Sequence, residues 1–243
     1  MFALLKKEIS SFLNSLIGYV VIGVFLLLVG LFMWIFPGEL NVLDYGFATL
    51  DTLFYIAPWV FMFLIPAVTM RSFAEERRTG TIELLLTRPI SDMNIVLAKY
   101  FAGLFLVVVA VLPTLISYAS VYWLGQPEGN IDTGGTWGSY IGLLFLGASF
   151  VAIGVFASSV TSNQIVSFLL SSVICFFMYA GFDSLGSFDL FGSLDNFIIS
   201  LGISDHYAGM SKGLIDTRDI AYFVVIIGLF LLLTRLILQS RKW

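Results

Sequence analysis

The sequence predicts an all-α polytopic membrane protein with six transmembrane helices. Of 243 residues, 59% are hydrophobic and only 12% charged, against about 45–50% and 25% in soluble domains. Apolar runs of about 19 residues or more recur six times, each long enough to cross a ~30 Å hydrocarbon core. Alternating ten-residue strands, the mark of a membrane barrel, are absent. A span with no water around it must then close its own backbone hydrogen bonds as a helix.

The spans run roughly Leu16–Phe36, Thr52–Met70, Ile95–Leu124, Gly138–Val160, Gln164–Phe182 and Ile220–Gln239. No small-residue cleavage site follows the first, which is expected to stay as an anchor. Ahead of it, residues 1–15 place Phe2, Leu5, Ile9, Phe12 and Leu13, with Leu16, on one helical face and Lys7, Ser10, Ser11 and Asn14 opposite. This reads as an interfacial helix with its lysines near anionic headgroups, or as an extension of the first span. Pro58 and Pro66 in the second span and Pro113 in the third each remove a backbone bond and invite a kink. The kinks suit flexible helices lining a route, and equally ordinary bends.

The fourth span carries Gly138-x-x-x-Gly142, Ala148-x-x-x-Ala152 and Gly154-x-x-x-Ser158. Such spacing lets helices approach closely, within the bundle or at a subunit interface. The turn 158–164 is short enough to make spans four and five a tight hairpin with a polar tip. Residues 183–219 are too apolar for a free loop and too broken by Gly and Asp for a seventh span. Phe182, Leu185, Phe188, Phe191, Leu194 and Phe197 recur there at three-residue steps. Short helices dipping into or lying on the outer leaflet are expected. With no internal repeat or low-complexity linker, residues 1–243 read as one membrane domain.

Lys and Arg set the orientation. Lys6, Lys7, Arg71, Arg77, Arg78, Arg88, Lys99, Arg235, Arg241 and Lys242 fall on one side, and only Lys212 and Arg218 on the other. Both termini and the 71–89 insert are therefore expected in the cytoplasm. The span interiors hold almost no ionisable group. Arg235 and Lys99 lie close enough to the cytoplasmic ends for snorkelling to explain them. No HExxH motif, no histidine in a span to activate a serine and no GxxxxGK[ST] loop occur. A membrane enzyme is disfavoured, and energy for driven work has to come through a partner. There is no basic stripe for nucleic acid. Cys175 reads as a small buried apolar residue, and His206 lacks a plausible set of metal ligands.

The insert, RSFAEERRTGTIELLLTRP, is the chain's one dense charge cluster. It either fixes topology alone or faces a soluble partner. Gly80 splits it. Arg71–Arg78 continues the second span as a polar helix, and Thr81–Leu86 forms a short helix with Leu84, Leu85 and Leu86 clustered. That helix stops before Pro89, because the residue preceding proline avoids helical geometry. Ser91 then caps the third span.

FAEERRTGTIELLLTRPIS is similar to the first cytoplasmic loop of ABC-2-type transporter permeases. Its E-x(4)-G-T-x-E-x-L-L-x-x-P pattern is carried by Glu75 and Glu76, Gly80, Thr81, Glu83, Leu84–Leu86 and Pro89. In that family this segment is the coupling helix seated on the ATP-binding subunit. The resemblance thus implies an ATPase-coupling role for Glu75, Glu76, Arg77, Arg78, Gly80, Thr81, Glu83, Leu84, Leu85, Arg88 and Pro89. It also implies no cofactor on this chain, ATP and Mg on a partner ABC ATPase, a second permease half, lipid contacts and a bacterial cytoplasmic membrane. The stretches KKEISSFLNSLIGYV, GASFVAIGVFASSVTSNQIVSF and KGLIDTRDIAYF resemble the family's gliding-motility-associated branch. There the second half is GldG-like, with another copy of the chain as the other option. The alternative reading is a non-transporting scaffold that anchors a cytoplasmic or cell-envelope complex.

Overall fold

The structure, a computed structural model, describes residues 1–86, 90–188, 192 and 195–240. Among these residues it holds helices and no strand. Six rods are long and apolar enough to cross a membrane: Leu16–Trp34, Asp51–Arg78, Asp92–Leu124, Thr133–Val160, Gln164–Gly186 and Thr217–Gln239. All six expected spans are present, with ends shifted by a few residues; the third, fourth and sixth start earlier than expected, where Ser91, Asp132 and Asp216 cap them ahead of the apolar runs.

Helix α1 (Phe2–Leu13) is separate from α2 (Leu16–Trp34). Ser15 divides them, its hydroxyl accepting from Ile17 N–H at 3.2 Å. The extension reading is therefore wrong. After the short α3 (Val42–Tyr45) comes α4 (Asp51–Thr69), then α5 (Arg71–Arg78) and α6 (Thr81–Leu86). The third span is α7 (Asp92–Val111) and α8 (Leu115–Leu124), joined by a 3-10 turn at Leu112–Thr114 around Pro113. The fourth is α9 (Thr133–Val160). The fifth, α10 (Gln164–Phe176), runs through a π turn into α11 (Phe182–Gly186). Two short helices, α12 (Asp195–Ile199) and α13 (Ile203–Met210), precede the sixth span, α14 (Thr217–Gln239).

The starts of α9, α10 and α14 are fixed by short polar side chains, which accept the first orphan N–H groups. Asp132 accepts from Gly135 N–H at 2.9 Å, Asn163 from Ile165 N–H at 2.9 Å and Asp216 from Arg218 N–H at 3.0 Å. The Arg218 N–H holds the Asp216 carboxyl below its ordinary range.

Helix α9 is the centre of the bundle. Of its most apolar stretch 78% is buried, against 22% for α2, 17% for the fifth span and 22% for α14. Its small residues explain this. A Cβ on Gly147 would stand 2.7 Å from Val107 Cγ1 of α7, and one on Gly142 2.6 Å from Met210 Cβ of α13. Neither neighbour could pack so closely on a larger residue. These glycines serve packing within the bundle, which settles one of the two readings left open.

The short helices after span five meet protein as well as the surface. In α13, Ile203, Tyr207 and Met210 are buried against the bundle, while Phe188 and Phe197 are exposed. The expectation that this segment lies on lipid is thus corrected for α13. Its apolar side is taken by α9, where Gly142 leaves room for Met210, while Gly138 receives Gly213 of the turn that follows α13. Phe191 and Leu194 lie outside the described residues. His206 sets Nδ1 2.7 Å from Asp219 and Nε2 2.9 Å from the Ser200 carbonyl, and stacks on Tyr222 at 3.9 Å. It serves as a tie between α13 and α14. Cys175 is fully buried, as expected.

Pro58 has no N–H, so the Phe54 carbonyl one turn earlier loses its ladder donor. The Tyr207 hydroxyl supplies one from α13, at 2.8 Å across 153 residues of sequence. Burial pushes the Tyr207 phenol well above its ordinary range, which keeps it a donor. Tyr207→Phe is expected to cost about 1–3 kcal/mol by leaving that carbonyl unsatisfied. The check is a lowered Tm in detergent, with Tyr55→Phe, at a 64% exposed site, leaving Tm unchanged.

Candidate functional site

The charged insert folds in two pieces about Gly80. Helix α5 ends at Arg78, Gly80 adopts φ +72°, and α6 starts at Thr81. A residue with a Cβ pays about 1–2 kcal/mol in that left-handed region, and glycine does not. Gly80 N–H donates to the Arg77 carbonyl at 3.3 Å, and Thr79 Oγ1 donates to the Glu75 carbonyl at 2.9 Å. The tip made by Arg78, Thr79, Gly80, Thr81 and Glu83 is exposed; Glu75 and Arg77 are half-buried, and Ile82 is buried. The side chains of Leu84, Leu85 and Leu86, together with Arg88 and Pro89, lie outside the described residues. So do the expected leucine cluster and proline stop. Ser91 caps α7 as expected, accepting from Asn94 N–H at 3.4 Å.

Glu76 differs from the exposed tip residues. Its carboxylate points inward, with Oε1 3.0 Å from Lys99 Nζ. Lys99 Nζ also lies 3.2 Å from Glu8 Oε1 of α1 and 5.0 Å from the centroid of the Phe73 ring. Lys7 Nζ stands 3.8 Å from both glutamates. The Lys99 side chain is 1% exposed, against 10% for Glu8 and 15% for Glu76.

The snorkelling expected of Lys99 is therefore wrong. An ammonium buried this deeply needs opposite charge beside it, and two carboxylates from two other helices provide it. Sequence reading missed Glu8 altogether. Buried Leu4 and Glu8, one turn apart, define the face of α1 that meets α7, while Phe2 on the expected apolar face is 83% exposed. The one available signal was an acid beside Lys6 and Lys7 on an otherwise apolar helix.

A second anchor lies at the other end of α5. Met70 keeps helical dihedrals, but the backbone hydrogen-bond ladder is interrupted there, and the hydroxyl of Ser158, from α9, enters the gap. Ser158 Oγ accepts from Phe73 N–H at 2.8 Å and from Ala74 N–H at 3.0 Å, and donates to the Met70 carbonyl at 3.1 Å. One turn back along α9, Gly154 lies against Thr69, so close that a Cβ there would meet Thr69 Oγ1. Of the expected insert residues, Arg78, Gly80, Thr81 and Glu83 are thus presented at the tip of a short helix that α9, α7 and α1 hold.

A family model described as ABC-2 family transporter protein matches residues 2–238. The chain belongs to the ABC-2 transporter family. No curated protein matches it. Members of this family are membrane permease subunits that lack the ATPase site, and the family implies an ABC ATPase as partner.

Lys99→Met would remove the buried cation that Glu8 and Glu76 share, leaving them only the exposed Lys7 at 3.8 Å. It is expected to destabilise by about 3–5 kcal/mol, read as a large drop in Tm in detergent. Adding Glu8→Gln and Glu76→Gln removes the stranded charges. The triple variant is expected to recover part of that loss, a non-additivity that marks a coupled cluster.

Proposed function

We propose that this chain is the permease subunit of an ABC transporter of the bacterial cytoplasmic membrane, and that residues 71–89 receive the partner ATPase. The observation that carries this reading is the contrast within the insert. Arg78, Gly80, Thr81 and Glu83 are exposed at its tip, while Phe73 and Ala74 at its base are fully buried. A segment that only fixed topology would need positive charge but no such base. Family membership gives the exposed tip a partner in kind. Flanking charges at the tip would set register and on-rate more than affinity.

In this reading ATP and Mg bind the partner, and this chain carries no cofactor. The positive-inside bias of Lys and Arg supports cytoplasmic N and C termini. Apolar side chains exposed along α2, α10 and α14, among them Leu27, Val173 and Leu232, face lipid or a second permease half. That half is GldG-like or another copy. The resemblance of three stretches to the gliding-motility branch supports a GldF-like subunit that powers transport or mechanical work for gliding.

Two substitutions test coupling. Glu83→Lys reverses the tip charge, and Gly80→Leu forces a side chain into the left-handed turn. In both, the ATPase is expected to copurify while its turnover no longer drives motility. Unchanged turnover together with unchanged motility would sink the coupling reading in favour of a scaffold. Orientation has its own check. In intact cells Glu128→Cys is expected to react with an impermeant maleimide and Arg78→Cys to stay unlabelled; the reverse pattern would invert the topology.

A further inference from the structure

We infer that Ser158 is a positioning residue that carries motion of the insert into the fourth span, a step that rests on the coupling reading above. The second span and α5 are continuous in sequence, yet they are two helices. Met70 ends one helix and begins the other. In an unbroken helix the Phe73 N–H would bond the Thr69 carbonyl. Here it bonds Ser158 Oγ instead. A side chain inserted in the i→i−4 ladder is a recognised cause of a helix break.

The joint uses every bonding capacity of that hydroxyl. It accepts twice and donates once, which exhausts a serine side chain. Ser158, Phe73 and Ala74 are all 0% exposed, so no water can take over if the joint slips. Gly154 and Ser158, at i and i+4 on α9, grip the two sides of the break. Gly154 abuts Thr69, the last residue of α4, and Ser158 holds the first turn of α5. Thr69 Oγ1 bonds back to the Ile65 carbonyl at 2.9 Å, a habit that itself bends helices.

Two routes therefore leave the insert. One is covalent, through Met70 into α4. The other is Ser158 into α9, two residues before that helix ends and turns into α10. Moving α5 without α9 would strand two buried N–H groups and a carbonyl. Moving α9 with it reaches α4, α7, α10 and α14, all of which pack on α9. The second route is the one that addresses the whole bundle.

The test uses the complex of this chain with its copurifying ATPase. Spin labels on Arg78→Cys and on Ser162→Cys, in the turn after α9, are each paired with a label on Glu128→Cys. Distances are read with and without ATP plus vanadate. In the unsubstituted joint both pairs are expected to shift on nucleotide trapping. With Ser158→Ala or Ser158→Cys, the Arg78 pair is expected to shift as before. The Ser162 shift is expected to fall at least twofold, and ATP turnover to persist. Ser158→Cys leaves no cavity but accepts hydrogen bonds weakly, and it carries the test should Ser158→Ala fail to fold. A Ser162 shift that is undiminished in Ser158→Cys overturns the inference and leaves the coupling reading standing. No Arg78 shift in the unsubstituted joint removes the coupling reading, and this inference with it.

Discussion

A backbone carbonyl or N–H left without a partner in hydrocarbon costs several kcal/mol, and that constraint shapes this bundle. The second span interrupts its own hydrogen-bond ladder at Pro58, at Pro66 and at Met70. Two of these interruptions are filled by a side chain from a distant element, Tyr207 of α13 at Pro58 and Ser158 of α9 at Met70. The two helices that supply the partners are thereby fixed in place. Helix α13 docks on the bundle at one end, and the foot of α9 locks under the second span at the other. The glycines of α9 make both contacts possible, since Gly142 receives Met210 and Gly154 receives Thr69.

Charge works differently here. The Lys99 cluster joins α1, α5 and α7 through one ammonium and two carboxylates. Lys7 at 3.8 Å from each glutamate brings the group to charge balance. Its stabilising value comes mainly from what its loss would expose, because a paired buried charge often gains little over an apolar group while a stranded one costs much. The cluster also explains why α1 is more than a membrane-surface helix. Its first two turns present Leu4 and Glu8 to α7, so the N-terminal segment is a structural part of the base of the insert.

Much of this was legible in sequence. Six apolar runs gave six spans, Gly80 divided the insert where expected, and Ser91 capped α7. These features are local: each depends on a residue and its near neighbours along the chain. What was not legible joins residues far apart. Glu8 meets Lys99 across 91 positions, Phe73 meets Ser158 across 85 and Tyr207 meets Phe54 across 153. The spacing Gly154-x-x-x-Ser158 announced a close approach but could not say to which helix. The Lys99 misreading has the same origin. A lysine near a helix end snorkels when lipid surrounds it, and only the fold shows that α1 and α5 surround it instead. The Leu84–Leu86 side chains and Pro89, central to the sequence argument, lie outside the described residues, so the site rests on the tip and base of α5.

The two ties at the base of the insert are not equivalent mechanically. Coulomb attraction falls gradually with separation and has no preferred angle, so Lys99 can hold Glu76 through a small rotation of α5. Three hydrogen bonds converging on one hydroxyl are directional and weaken steeply as their angles close. Of the two anchors, the ionic one restrains the distance of α5 from α7, and the one at Ser158 sets its axis. If the tip around Gly80 receives the partner, as proposed above, a load there would turn α5 about its first residues rather than slide it along the bundle. That turn would be resisted at α9, the most buried of the six spans. Lever and fulcrum would then belong to different spans, with Met70 as the covalent link between them.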